Sequence, residues 1–219
     1  MHSTNTLRRS ALGLIVACAL GGAIGGATTT ADTSAQKSTT KGKGHAMTKT
    51  VAVIETSMGT IEAELYSADA PKTVENFVGL AKKKYFDGII FHRVVPGFVI
   101  QGGDPTGTGT GGTSIWDKEF ADELNPQAPS YKAGYLKGVL AMANRGPNTN
   151  TSQFFIMLDD NTSLPKHYTI FGKVVKGLDV VDAIGKVPLE GSKPVTPVVM
   201  KKVWIRVAEP ASKSPAKEK

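Results

Sequence analysis

Apolar and polar residues change their period along the chain, and each change marks an element. From Thr50 to Thr56, and again from Thr60 to Tyr66, apolar and β-branched residues alternate with polar ones on either side of Ser57-Met58-Gly59. Period-two alternation flanking a short turn predicts a β-hairpin. The period then lengthens: Val74, Phe77, Val78 and Ala81 recur at helical spacing after Pro71. Proline suits a first helical position, because its φ is preset and its missing N–H would be unpaired there anyway. The spacing predicts a helix over 71–84, with Lys82, Lys83 and Lys84 at its negative C-terminal end. Further strands are predicted within 91–101, either side of the turn dipeptide Pro96-Gly97, and at 138–143, 152–158, 169–175 and 197–207, with a short second helix over 177–184. About eight strands joined mostly by short turns predict a mostly β fold, a closed eight-stranded antiparallel barrel capped by the two helices.

Both ends of the chain break this pattern. Arg8 and Arg9 lie in a first stretch without an acid, and Ala11 to Ala27 follows without a charge. A basic region, an apolar region and then small residues predict an export signal over 1–27. The stretch is glycine-rich and short for a permanent bilayer span. Two processing routes stay open. Ile15-Val16-Ala17-Cys18 resembles the lipobox of bacterial lipoproteins, in which Cys18 would be lipidated; ordinary cleavage near Thr28 to Ala31 is the other. Either route predicts a bacterial protein exported to the periplasm or cell envelope. Residues 28–48 are mostly Thr, Ser, Ala, Gly and Lys, a predicted disordered linker, and 210–219 form a similar tail. The folded domain is therefore expected over 49–209.

Composition and charge narrow the function classes. With 219 residues, 40% apolar, 24 Gly and 12 Pro, the chain suits one turn-rich domain with tails. The formal charge of +7 suggests nucleic acid until the charges are located. Eight of the 26 Lys and Arg lie outside 47–209, offset there only by Asp32 and Glu218, which leaves the body at +1. A domain-wide basic footprint is missing, so nucleic acid is not an expected partner. Cys18 is the only cysteine, and the body histidines His92 and His167 have no metal-ligand spacing, so no metal and no cofactor are expected. No Gly-x-Ser-x-Gly supports a serine hydrolase, and the glycine-rich loop lacks the Lys of a P-loop.

Candidate chemistry gathers in two blocks. The first, Phe91 to Gly112, reads FHRVVPGFVIQGGDPTGTGTGG, and its polar groups with chemical potential are His92, Arg93, Gln101 and Asp104. Alternation puts Phe98 and Ile100 on one side of a strand and Val99 and Gln101 on the other. His92 falls on the face opposite Arg93, where a hydrogen-bonded core or edge histidine is expected. Arg93 itself is either paired with an acid at a sheet edge or functional. The second block, Gly138 to Met157, reads GVLAMANRGPNTNTSQFFIM and brings an Asn, a Gln and two Phe together if its strands pair.

These two blocks, in this order and separation, resemble the cyclophilins, the family of peptidyl-prolyl cis/trans isomerases, over about Val51 to Val207. The resemblance implies an eight-stranded barrel capped by two helices and rotation about X-Pro bonds without a cofactor. It implies that Arg93 is catalytic, that Phe98, Val99, Phe155 and Leu164 line a proline pocket, and that Tyr168 supplies a flat wall where members commonly have His. It implies that Gln101, Ala143, Asn144 and Gln153 contact the peptide, and that Gly109 and Arg145 edge the groove for residues preceding proline. Val99 stands where many members have Met, a smaller side chain that should loosen the pocket. Ser163 stands where many eukaryotic members have Trp, so weak cyclosporin binding is expected. The implied partners are proline-containing peptides and folding proteins, met by a monomer. A proline-peptide binding module or chaperone with incidental catalysis is the alternative.

Overall fold

The computed structural model describes residues 49–208; the expected export signal, Cys18, linker and tail lie outside the described residues. The predicted hairpin forms from β1 (Lys49–Thr56) and β2 (Gly59–Leu65), with Ile54 opposite Ile61. Helix α1 (Pro71–Lys82) starts at its proline. It stops two residues earlier than the spacing predicts, because Lys84 turns left-handed at φ +58°. Strands β3 (Arg93–Val95), β4 (Val99–Gly102), β5 (Val139–Met142), β6 (Phe154–Met157), β7 (Ile170–Lys176) and β10 (Met200–Ala208) complete one antiparallel sheet in the order β10-β1-β2-β7-β5-β6-β4-β3.

Its two outer members approach one another. An Ile90–Val199 bridge, with Phe91 N–H bonding Val198 O at 2.9 Å and Met200 N–H bonding Ile89 O at 2.8 Å, sets the segment before β3 beside the start of β10. Three elements are additional to the expectation: the five-residue helix α2 (Pro129–Ala133), and the two-residue strands β8 (Leu189–Glu190) and β9 (Lys193–Pro194). Each is too short to carry a readable period. The expected second helix is α3 (Leu178–Ile184).

The sheet has two apolar faces, and this decides where the site sits. Inward, Ile54, Ile100, Leu140, Phe154, Ile156 and Phe171 pack with Phe77 and Leu80 of α1 and with Val181 and Ile184 of α3. Phe77 is the hub of the aromatic packing, 4.9 Å from Phe86 and 5.5 Å from both Phe154 and Phe171. Each such pair contributes about 1 kcal/mol beyond area burial. Phe91 and Phe154 are fully buried there. Outward, a second cluster gathers Val99, Val139, Ala141, Phe155, Met157 and Ile170, with Phe98, Ala143, Leu164 and Tyr168 partly exposed at its margin. The alternation therefore holds for Val99, Ile100 and Gln101 and fails for Phe98. Phe98 precedes β4, where the bend at Gly97 (φ +71°) has rotated it to join Val99 on the outer face.

Candidate active site

Strand register lines up the functional side chains. Arg93 of β3 is opposite Gln101 of β4, Gln101 is opposite Phe155 of β6, and Phe155 is opposite Ala141 of β5. Residues directly opposite in neighbouring strands point to the same face. A guanidinium, an amide, an aromatic ring and a methyl group thus stand abreast on the outer face. Beside them opens a hollow of about 240 Å³, lined by Arg93, Phe98, Val99, Gln101, Ala143, Asn144, Phe155, Leu164 and Tyr168. Tyr168, expected as a flat wall, meets Phe155 edge-on at 5.6 Å at this hollow. A smaller hollow of about 70 Å³ shares Gln101, Ala143 and Asn144 and adds Gly109, Arg145 and Gln153. All twelve candidate contact residues therefore fall on two adjoining hollows. Thr149 and Thr151 also line the smaller one and are additional to the expectation. Nothing in the spacing of a Thr-Asn-Thr turn separates them from turn-forming residues.

Polar contacts hold this surface in one arrangement. Arg93 Nη1 donates to Gln101 Oε1 at 3.1 Å, and Gln101 Nε2 donates to Gln153 Oε1 at 3.0 Å. Gln153 Nε2 donates to the carbonyl oxygens of Gly109 and Gly111, at 3.0 and 2.8 Å. Among the described residues no ion pair includes Arg93, so the reading of a sheet-edge pair with an acid fails. Arg145, in contrast, is paired with Glu119 at the rim. Asn144 donates its side-chain amide to His167 O at 2.9 Å. Its own backbone N–H and C=O make no hydrogen bond among the described residues, which leaves them available to a bound chain.

Two buried groups lie behind the hollows. Asp104, 1% exposed, accepts from the N–H groups of Thr106, Thr108, Gly109 and Gly111 and from the Thr106 hydroxyl. Burial alone would raise its carboxyl, but the bonds from Thr106, Gly111 and Gly109 outweigh that and hold it at about 2. His92 is buried as expected, yet it is not hydrogen-bonded: both ring nitrogens lack a partner among the described residues. Its loop neighbour Gly109 has no side chain to offer, and Asp104 is already committed to backbone donors. Burial depresses the imidazole, Asp104 partly offsets this and Arg93 adds to it.

A larger cavity, about 530 Å³, lies elsewhere, between β2, β5 and α2, where Leu65, Leu136 and Val139 line it. Size and chemistry therefore disagree, and chemistry points to the candidate site: Arg93, which has no ion pair among the described residues, lines the 240 Å³ hollow.

A guanidinium with no ion pair among the described residues, beside a hollow walled by Phe98, Val99, Phe155 and Leu164, is an arrangement that can hold an extended chain. The chain belongs to the cyclophilin-type peptidyl-prolyl cis-trans isomerase family, whose model matches residues 51–205. Among its relatives, peptidyl-prolyl cis-trans isomerase ppi1 of Schizosaccharomyces pombe is 52% identical over 146 residues, 66% of this chain and 92% of that protein. The isomerase-like 3 protein of Dictyostelium discoideum is 45% identical over 153 residues, 69% of this chain and 92% of its own length. A crystal structure of a Cryptosporidium parvum cyclophilin-type isomerase superposes with a TM-score of 0.68 at 37% identity, covering 75% of this chain and all of that one. A second structure of that protein, in the presence of the dipeptide Ala-Pro, gives 0.66 at 38% identity, covering 71% of this chain and 98% of that one.

Proposed function

We propose that this enzyme speeds X-Pro rotation in folding proteins by using Arg93 to stabilise the twisted imide over the Phe98, Val99, Phe155 and Leu164 hollow. Conjugation opposes the rotation by about 18–20 kcal/mol, so the uncatalysed step takes tens to hundreds of seconds. Reaching milliseconds requires about 10⁴-fold, or ~5.5 kcal/mol. No covalent bond breaks and no proton has to move. At the midpoint the proline nitrogen turns pyramidal and regains a lone pair that neither planar isomer offers. A donor aimed at that nitrogen binds the midpoint more tightly than either end state, which is the condition for catalysis.

The carrying observation is the Arg93 guanidinium itself, bonded through Nη1 to a neutral amide, free of any acid among the described residues, and lining the apolar hollow. Arginine stays charged at any working pH, and its planar fork retains donors for a peptide carbonyl as well. The Asn144 backbone and the side chains of Gln101 and Gln153 would hold the chain on the side of the smaller hollow, with Gly109 and Arg145 at its edge. A protease-coupled assay on a tetrapeptide containing Ala-Pro tests the reading. Arg93→Ala is expected to lower kcat/KM by about 10²- to 10³-fold. Undiminished activity in that variant would sink the mechanism, and an inactive wild type that still binds the peptide would favour a binding module.

The same reading extends to partners and place. Ser163 offers a hydroxyl, already bonded to Asn161 Oδ1 at 2.9 Å, and no indole N–H, so cyclosporin inhibition is expected to be weak. The protein acts as a monomer on exported clients in a bacterial periplasm or envelope, a placement that the basic and apolar segments of 1–27 support. Intact mass of the mature protein from its host separates acylation at Cys18 from cleavage near Thr28 to Ala31, and a mass that retains residues 1–27 would overturn export by a cleaved signal.

A further inference from the structure

We propose that Asp104 is a positioning residue for the isomerase reaction: its buried carboxylate fixes the glycine-rich loop, and the loop sets the direction of the amide relay that orients Arg93. The inference rests on Arg93 acting as proposed above.

The relay has a polarity on which its two ends agree: the guanidinium only donates, and the loop carbonyls only accept. A carbonyl oxygen accepts and never donates, so the two loop carbonyls of Gly109 and Gly111 oblige Gln153 to turn its Nε2 towards them. Gln153 Oε1 must then face the other way, where it accepts from Gln101 Nε2. Gln101 is thereby left with Oε1 directed at Arg93 Nη1. Had the loop presented N–H groups instead, both amides would reverse, and Gln101 would confront the guanidinium with an NH₂. The acceptor that holds the cation is thus specified three hydrogen bonds away.

Asp104 is what holds those carbonyls in place. The loop cannot be stiffened by side-chain packing, because Gly107, Gly109 and Gly112 all take left-handed φ values and Gly103 leaves no room for a Cβ against Ser152 O. Four of its N–H groups converge instead on one point, the carboxylate that gathers those of Thr106, Thr108, Gly109 and Gly111. Gly109 and Gly111 each give their N–H to Asp104 and their C=O to Gln153, so the anion and the relay grip the same two residues from opposite ends. Bonds to an ionised acceptor are about twice as strong as neutral ones. Replacing the charge therefore loosens the loop through a residue that itself lines neither hollow.

The test perturbs the clamp from both sides in the full-length protein. Asp104→Asn removes the charge. Gly111→Ala keeps it but places a Cβ 2.2 Å from Asp104 Oδ1, at a position with no left-handed backbone requirement. In each variant kcat on an Ala-Pro tetrapeptide, read by NMR exchange, is expected to fall about 10- to 100-fold, by a larger factor than the peptide dissociation constant rises. The Arg93 Nη resonances, resolved in the wild type by a held guanidinium, are expected to merge as it rotates freely. A fall in affinity alone, or wild-type kcat in a folded variant whose Gly109 amide resonance has moved, overturns the inference. So does a freely rotating Arg93 in the unaltered protein, a measurement that needs no variant to fold. If Arg93→Ala is itself fully active, the mechanism fails first; if Arg93→Ala is inactive and both clamp variants are fully active, only the role of Asp104 falls.

Discussion

Phe155 and His92 show how differently two buried rings behave when one faces the hollow and the other the loop. Phe155 is 5% exposed, sits opposite Gln101 and forms part of the hollow's apolar wall. Phe155→Ala removes that contact, and KM for a proline peptide is expected to rise about tenfold or more, measured below the variant's reduced melting temperature. Val99→Met would add apolar surface in the same hollow, and KM is expected to fall by a few-fold, about one buried methylene's worth. His92 is a liability in acid. Its folded-state pKa lies below the ordinary 6.5, so the unfolded chain takes up the proton more readily. Its contribution to stability is complete above pH 6.5 and declines as pH falls from there toward its depressed folded value. Melting temperatures recorded from pH 7.5 to pH 5 should show that decline, and His92→Phe should reduce it; an identical slope in both proteins would refute the assignment. Asp104 adds a second, lower window, since its stabilisation is full above 3.8 and is lost as pH falls through about 2.

Helix α1 illustrates what an element owes to residues far away in sequence. Its N-cap, Ala70, has no side chain able to bond the first N–H groups. Glu123 does this from fifty residues on, accepting from Lys72 N–H at 3.0 Å, Thr73 N–H at 2.8 Å and the Thr73 hydroxyl at 2.8 Å. An anion at the positive end of a helix is favourable as well. Glu123→Ala is expected to cost about 1–2 kcal/mol, read as a lower midpoint in urea unfolding with an unchanged slope, and no loss of midpoint would show that water replaces the cap. The period of apolar residues made α1 legible because it records which side is buried; the cap was not, because a carboxylate in a loop carries no mark of the helix it serves. The same holds for α2, whose five residues complete barely more than one turn.

At the scale of the whole molecule, the barrel's two-sided sheet separates stability from function. The inner face holds the core and the outer face holds the site, so residues 49–208 produced alone are expected to fold and to retain the isomerase activity of the full chain. A large loss in that shortened protein, measured in the same coupled assay, would assign the ends a part in catalysis. The sequence by itself marked the eight strands of the main sheet, two of the helices, and twelve of the fourteen residues that line the two hollows, because period and ordered motifs are written along the chain. Only the tertiary structure decided the rotation of Phe98 at the Gly97 bend, the unbonded state of His92, and the Asp104 clamp that reaches Arg93 through Gln153 and Gln101. The reason is physical: a hydrogen bond depends on distance and direction between atoms that folding brings together from separate strands and loops, and neither quantity leaves a pattern along the chain.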